Sequence, residues 1–328
     1  MKGFDKEFRD YEHYILRITD QIWLEKDIGS IKRYYTEDCP VYTLGGIVIG
    51  SEAVINGTIK TLAAFPDRLL NAEDVIWSGD DESGYFSSHR IISPSMTNLG
   101  HSEFGPPTGE QATVRTIADC AARDNQIYEE WLMRDNMGLV RQLGLDVHEL
   151  ARRLAVENKD NRDLHDWIAQ EIDRVKSSPC LQSGDTGIDP HKDLDAYVQS
   201  LLVHLWSDRE LDAIDSRYTS SAKFHGPDAR DLSGIQEIKG YLSQIQQCLS
   251  DTAISVDNIC SIQHDEKIMD VAVRWCLVGK HSADGLYGEP SGKDILIMAA
   301  SHWRIEDGII HEDWTVFDEL AVLRQVYS

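Results

Sequence analysis

The chain has 328 residues and a formal net charge of −24, which argues against a nucleic-acid footprint and against electrostatic binding to anionic membranes. An apolar share of 41% and a charged share of 27% are those of an ordinary globular protein, and the length suits two domains of about 150 residues each. The six cysteines form no C-x-x-C pair; they read as buried thiols of a reducing compartment, not as a zinc or disulfide framework. The N-terminus has no apolar signal core, and no run approaches the roughly 18 apolar residues of a membrane span. A cytoplasmic location is the expectation.

In chain order, residues 8–35 are expected to form one long helix. Tyr11, Tyr14, Ile15, Ile18, Ile22 and Trp23 recur at helical spacing, Gly29 interrupts, and Ile31, Tyr34 and Tyr35 resume. Pro40 and Gly45-Gly46 mark a turn, with room for a short strand. A second helix fits 51–64, with Ser51 as its N-cap. Strands are expected near 71–78, 84–93, 111–122 and 126–134, with 94–109 as a long hairpin loop and Asp124-Asn125 as a tight turn. Residues 146–176 suggest two helices broken around Asn158–Asn161, and 177–190 has the composition of a flexible boundary. A helix over 193–218 follows, then one from Gly234 to Leu249. Strands near 253–263, 267–279, 293–305 and 309–316 complete the chain, with Asp307-Gly308 as a hairpin turn.

The second half restates the first. Ile127, Glu129, Trp131, Asp135, Arg141 and Gln142 recur as Ile310, Glu312, Trp314, Asp318, Arg324 and Gln325, always 183 residues later. Trp23 and Tyr35 recur at the same offset as Trp206 and Tyr218. A period this long is a duplicated domain, not a solenoid repeat. We expect domains at 1–145 and 191–328, joined by a helical linker at 146–190. Helices followed by consecutive strands predict an α+β fold with an antiparallel sheet. A long helix across the concave face of such a sheet makes a cone-shaped α+β barrel, open at one end.

The layout and motifs resemble a known family. F-P-D at 65–67, His101 followed by P-T-G at 107–109, and E-E-W-x(3)-D-x(5)-R-Q-L-G at 129–144 are similar to SnoaL-like polyketide cyclases. That family sits within the nuclear-transport-factor-2-like superfamily. The resemblance covers about residues 10–145 and, more weakly, 193–327, where the F-P-D is missing. It implies ring closure or related acid–base chemistry on a small apolar carbonyl compound, with no metal or cofactor. It also implies an aspartate near the end of the last strand as the acid/base, a role that falls on Asp135 and, in the second copy, Asp318. Family domains commonly dimerise through the convex sheet face, so the two copies are expected to pack as an intramolecular pseudo-dimer, with further homo-oligomers open. The superfamily also holds non-catalytic ligand-binding proteins, which is the alternative reading.

The residues themselves leave choices. If the strand is regular, Ile127, Trp131 and Asp135 share one face, and Trp131 walls a desolvated Asp135. Asp135 and Asp318 also stand where helix N-caps belong. His89, with Val273 in its place in the second copy, is a candidate donor or partner base, or a core histidine. Asp119 and its counterpart His302 are polar residues in core-like strands and join the catalytic candidates. Trp131, Trp314, Trp23, Tyr35, His101 and His281 are candidate substrate contacts. Arg90 and Arg274 are expected to pair with carboxylates such as Glu129, Glu130, Glu312 and Asp313. Arg90 and Arg123 near Asp119 leave room for an epoxide-hydrolase network. No zinc, phosphate-loop, dinucleotide or nucleophile-elbow motif occurs, so metal and cofactor are expected to be none. The partner is a small molecule.

Overall fold

The computed structural model describes residues 1–179 and 187–328. Part of the 177–190 boundary read from composition lies outside them. Two compact units emerge, Met1–Leu150 and Ala151–Ser328.

In the first unit, Asp10 caps helix α1 (Tyr11–Trp23) by accepting from the His13 amide at 2.7 Å. Its buried stripe of Tyr11, Tyr14, Ile15, Ile18 and Ile22 follows the helical period. The expected single helix over 8–35 is broken, because Lys26 takes φ 61°. A 3-10 turn (Ile28–Ser30) and the short α2 (Ile31–Tyr34) follow. Strands β1 (Pro40–Thr43) and β2 (Gly46–Ile49) form a hairpin. Helix α3 (Ser51–Ala64) has the expected span, but its cap is Gly50 at φ 86°, not Ser51. A Cβ at Gly50 would stand 2.2 Å from the Glu37 carbonyl oxygen, so only glycine fits.

Four long strands then run antiparallel: β3 (Asn71–Asp80), β4 (Gly84–Thr97), β5 (Gln111–Arg123) and β6 (Gln126–Arg134). β4 runs further into the expected 94–109 loop than its sequence suggests. Asp124 and Asn125 both take positive φ in the β5–β6 turn, as a two-residue hairpin demands. The sheet order is β2-β1-β6-β5-β4-β3, and the β1–β6 pair is parallel, so the sheet is mixed rather than wholly antiparallel. Helix α4 (Asn136–Gln142) closes the repeat and packs on β5.

Helices α5 (Val147–Glu157) and α6 (Arg162–Ser177) occupy the expected linker. α6 packs along the sheet of the second unit, with Arg174 paired to Asp257 at 2.9 Å. The helix expected over 193–218 splits into α7 (Leu194–Trp206) and α8 (Ala213–Arg217), with Arg209 at φ 62° between them. The stretch after it, missed in the sequence, forms β7 (Tyr218–Gly226) and β8 (Arg230–Ser233). Helix α9 (Ile235–Cys248), strands β9 (Leu249–Gln263), β10 (Ile268–His281), β11 (Asp294–Glu306) and β12 (Ile309–Phe317), and helix α10 (Glu319–Tyr327) repeat the plan. The order β8-β7-β12-β11-β10-β9 is the same topology. Each unit is thus helices laid on a curved six-stranded sheet. Among the described residues no helix is long and apolar enough to cross a membrane.

Candidate functional site

The face of the first sheet turned toward α1 is fixed by what α1 touches. Its core cluster includes Tyr11, Tyr14, Ile15 and Ile18 with Val75, Tyr85, Cys120, Ala122 and Ile127. Directly paired residues of antiparallel strands share a face. Glu130 opposes Cys120, Leu132 opposes Ala118, and Arg134 opposes Thr116, so all six face inward. Across β4, His89 opposes Ala118 and Ser87 opposes Cys120, which places them inward as well.

This reverses the expected parity of β6. The ladder slips between Ala121 and Ala122, whose partners are Glu129 and Ile127, so Tyr128 is an extra residue. Such a β-bulge turns every later side chain over. Ile127 still faces the core, but Glu130, not Trp131, follows it inward. The second unit repeats the slip, with His311 as the extra residue between Ile310 and Glu312.

Glu130 is 8% exposed, and burial is the main reason its carboxyl is pushed up to about 7; a hydrogen bond with Tyr35 and the charge of Arg134 oppose the rise. Burial likewise holds the Tyr35 phenol well above its usual range, and Glu130 adds to this. Cys39 and Cys120 lie in the same surroundings, and burial pushes the Cys39 thiol up to about 12. Tyr35, Trp77, Leu132 and Arg134 on this face are only partly buried. The inner face of the first unit therefore combines a carboxyl poised near neutrality with apolar walls that solvent still reaches.

The second unit keeps the acid–tyrosine pair and fills the space around it. Asp313 stands at the Glu130 position and accepts from Tyr218 Oη at 2.7 Å and from Thr315 Oγ1 at 2.7 Å. Thr315 Oγ1 lies 2.7 Å from Ser301 Oγ, which accepts from Trp275 Nε1 at 3.0 Å. Burial, partly offset by the Tyr218 bond, pushes the Asp313 carboxyl up to about 6. Trp303 replaces Cys120, Phe317 replaces Arg134 and Trp275 replaces Ile91, and all three are 2% exposed. Bulky rings and a satisfied polar chain take the place of the first unit's partly open face.

The other residues expected from sequence fall as follows. Asp135 is buried at the head of α4 and accepts from the Gly138 amide at 2.9 Å. It follows Arg134, the last residue of β6, and serves as the N-cap of α4. Asp318 caps α10 by accepting from the Ala321 amide at 3.0 Å. Trp131 and Asp119 oppose each other on the outer face, as do Trp314 and His302. Trp131 stacks on Tyr42 and Trp314 on His225. His89 is 2% exposed and inward. Trp23, at the end of α1, carries the Arg68 guanidinium 5.0 Å over its ring. His101 is exposed in its loop.

His281 answers in place to Asn98, not to His101. Both hold the loop, by accepting at the main-chain oxygen from Gly292 and Gly109. His281 is fully buried and bonded through Nδ1 to Ser291, and burial lowers its pKa. Arg90 pairs with Glu73 at 3.3 Å and Asp74 at 3.8 Å, not with Glu129 or Glu130. Arg123 is exposed and donates to the Ser83 carbonyl, so it does not join an Arg–Asp network at Asp119. Among the described residues one group has metal-type ligands close together: His204, Asp208 and Glu210, at the surface end of α7.

Sequence reasoning missed Glu130, Arg68 and Arg134. The signal for Glu130 was present, since an acid recurs at 130 and 313, but the bulge hid its direction.

A search of curated proteins returned no match. Solved structures with similarity include AclR from Streptomyces galilaeus (20% identity, 40% of this chain and 94% of that one, TM-score 0.35). IdmH from Streptomyces antibioticus shares 21% identity over 39% of this chain and 96% of its own, with a TM-score of 0.33. A SnoaL-like polyketide cyclase from Agrobacterium tumefaciens C58 shares 16% over 40% and 96%, with a TM-score of 0.34. The family model for the SnoaL-like polyketide cyclase matches twice, at residues 13–143 and 196–326. With most of its length matched and the same topology in both units, the chain belongs to the SnoaL-like polyketide cyclase family, as a tandem duplication.

Proposed function

We propose that the first unit is a cofactor-independent acid–base catalyst acting at the carbon beside a carbonyl in a small, largely apolar compound. Its partner unit is a filled, non-catalytic copy. The observation that carries this reading is Glu130, a carboxyl buried on the inner face and pushed up to about 7. A base works best when its pKa lies near the working pH. Glu130 takes the proton from the acidic carbon. The electron pair left behind moves into the carbonyl as an enolate. That enolate is then reprotonated by Glu130 at another carbon of the conjugated system or on its opposite face, giving an isomerase, or attacks a second carbonyl of the same molecule, whose alkoxide oxygen takes the proton back from Glu130, giving a cyclase. Tyr35, held protonated by its own raised pKa, keeps its hydroxyl available as a donor to the carboxylate. We assign to His89, inward on the same face, the hydrogen-bond donor to the enolate oxygen.

The test is deuterium wash-in from heavy water at the carbon beside the carbonyl of aryl ketones such as 1-tetralone. Wild type accelerates exchange, and Glu130→Gln loses that acceleration by about 100-fold or more, the usual size of a general-base contribution. Asp135→Asn keeps it. Exchange that survives in Glu130→Gln, or a wild type that accelerates none of the ketones, overturns the proposal.

A further inference from the structure

Arg68 sits between α3 and β3 and is 3% exposed. Its Nε donates to Ser93 Oγ at 3.2 Å, and its guanidinium lies over Trp23. Among the described residues no carboxylate pairs with it: the charges set against it are those of other cations, Arg134, which adds to burial in lowering its pKa, and Lys26. A guanidinium keeps its proton at any ordinary pH, so its charge is buried with no counter-charge, eased only by the Ser93 bond and the Trp23 ring. Arg90, also buried, holds Glu73 and Asp74, and the partly buried Arg230 holds Glu319 at 2.6 Å.

Three further polar groups share the surroundings. Arg134 and Thr116 oppose each other across β5 and β6, facing inward. Arg134 Nε and Thr116 Oγ1 are both buried atoms with no hydrogen-bond partner. Ser93, which receives the Arg68 bond, opposes Val114, two residues along β5 from Thr116. In the second unit the equivalent places are Leu277, Ala299 and Phe317, as the β10–β11 and β11–β12 registers show. The polar set thus exists in one copy only, the copy whose inner face is partly open.

We propose that Arg68, Arg134, Thr116 and Ser93 form an anion subsite, and that the ligand of the first unit is an apolar or aromatic body bearing one compact oxyanion, a carboxylate by preference. Two guanidinium groups and two hydroxyls suit the fork geometry of a carboxylate or phosphate. Leu132, Ile91 and Ala118 line the adjoining inner face and suit the apolar body. This rests on the inner face of the first unit being a ligand site, as the proposed function requires, but not on Glu130 being a base.

The experiment is calorimetric binding of 2-naphthoate, 2-naphthyl phosphate and methyl 2-naphthoate to the full chain at a pH above 7. Charge-assisted hydrogen bonds of the usual strength predict that naphthoate binds about tenfold or more tighter than its methyl ester. Arg134→Met, at a partly exposed position, removes that preference. Arg68→Met does the same, and Arg68→Lys restores part of it if the methionine variant fails to fold. Glu130→Gln keeps the preference, so loss of exchange in that variant with anion binding intact separates the two proposals. A phosphate that outbinds the carboxylate reassigns the anion class and overturns the stated preference for carboxylate. An ester that binds as tightly as the acid, a preference that survives Arg134→Met, or no binding of naphthoate at millimolar concentration overturns the subsite.

Discussion

Glu130 and Asp135 stand five residues apart and are bonded in opposite ways. Glu130 sits in a desolvated place that favours its neutral form, and burial outweighs the phenol hydrogen bond from Tyr35, which favours the carboxylate. Asp135 receives a backbone amide from the first turn of α4, a bond typical of a capping carboxylate. The two are therefore expected to answer mutation differently. Asp135→Ala removes the cap and lowers unfolding free energy by about 1 kcal/mol, while Asp135→Asn, itself a good cap, changes it by a few tenths. Ketone exchange persists in both. Urea unfolding checks the first statement and deuterium wash-in the second. An Asp135→Asn protein of normal stability without exchange would return the base to Asp135.

At the level of elements, the repeated Arg-Gln near the end of each unit has a structural job. Gln142 reaches back to β5, accepting from the Thr113 amide and donating to the Thr113 carbonyl, both at 2.9 Å. Gln325 does the same with Leu296, also at 2.9 Å in both bonds, but in a more buried place. Each glutamine fixes its terminal helix to the sheet. Gln325→Ala is expected to cost more than Gln142→Ala, within about 1–3 kcal/mol for buried groups left without partners. Equal losses in thermal unfolding would count against this account. The helices and long strands were legible because their apolar periods survive in the chain. The breaks at Lys26 and Arg209 were not, because they depend on positive φ at residues that do not advertise it. Strands β7 and β8 were hidden because Thr219–Lys223 is polar on its exposed positions and follows a helical pattern without a strong stop. The site was half legible. The acids at 130 and 313 recur in the sequence, and so do their tyrosines at 35 and 218. The bulge at Tyr128 is invisible to a count of alternation, and it alone decides that Glu130 rather than Trp131 faces α1. Arg68 could not be found from sequence, since its significance is the absence of a pairing acid in three dimensions.

On the scale of the whole molecule, duplication has left both units with a buried carboxyl whose pKa is raised, to about 7 for Glu130 and about 6 for Asp313. Both are neutral in folded and unfolded chains alike at pH values below the ordinary carboxylate range, where the stabilisation tied to the raised pKa is fully present. As pH rises past the unfolded value the unfolded chain releases the proton first, so stability is lost, and the loss is complete once pH passes the folded value. Each carboxyl contributes up to about 3 kcal/mol to this fall. The general charge of −24 also favours lower pH through self-repulsion, so wild type alone does not isolate the effect. The difference between variants does. Urea unfolding between about pH 5 and about pH 8 is expected to flatten toward its upper end in Glu130→Gln and toward its lower end in Asp313→Asn. The two shifts belong to separate compact units and are expected to add in the double variant. A Glu130→Gln profile parallel to wild type would mean that Glu130 titrates as an ordinary surface acid. The first unit would then have lost its desolvated face, and with it the difference between an open copy and a filled one.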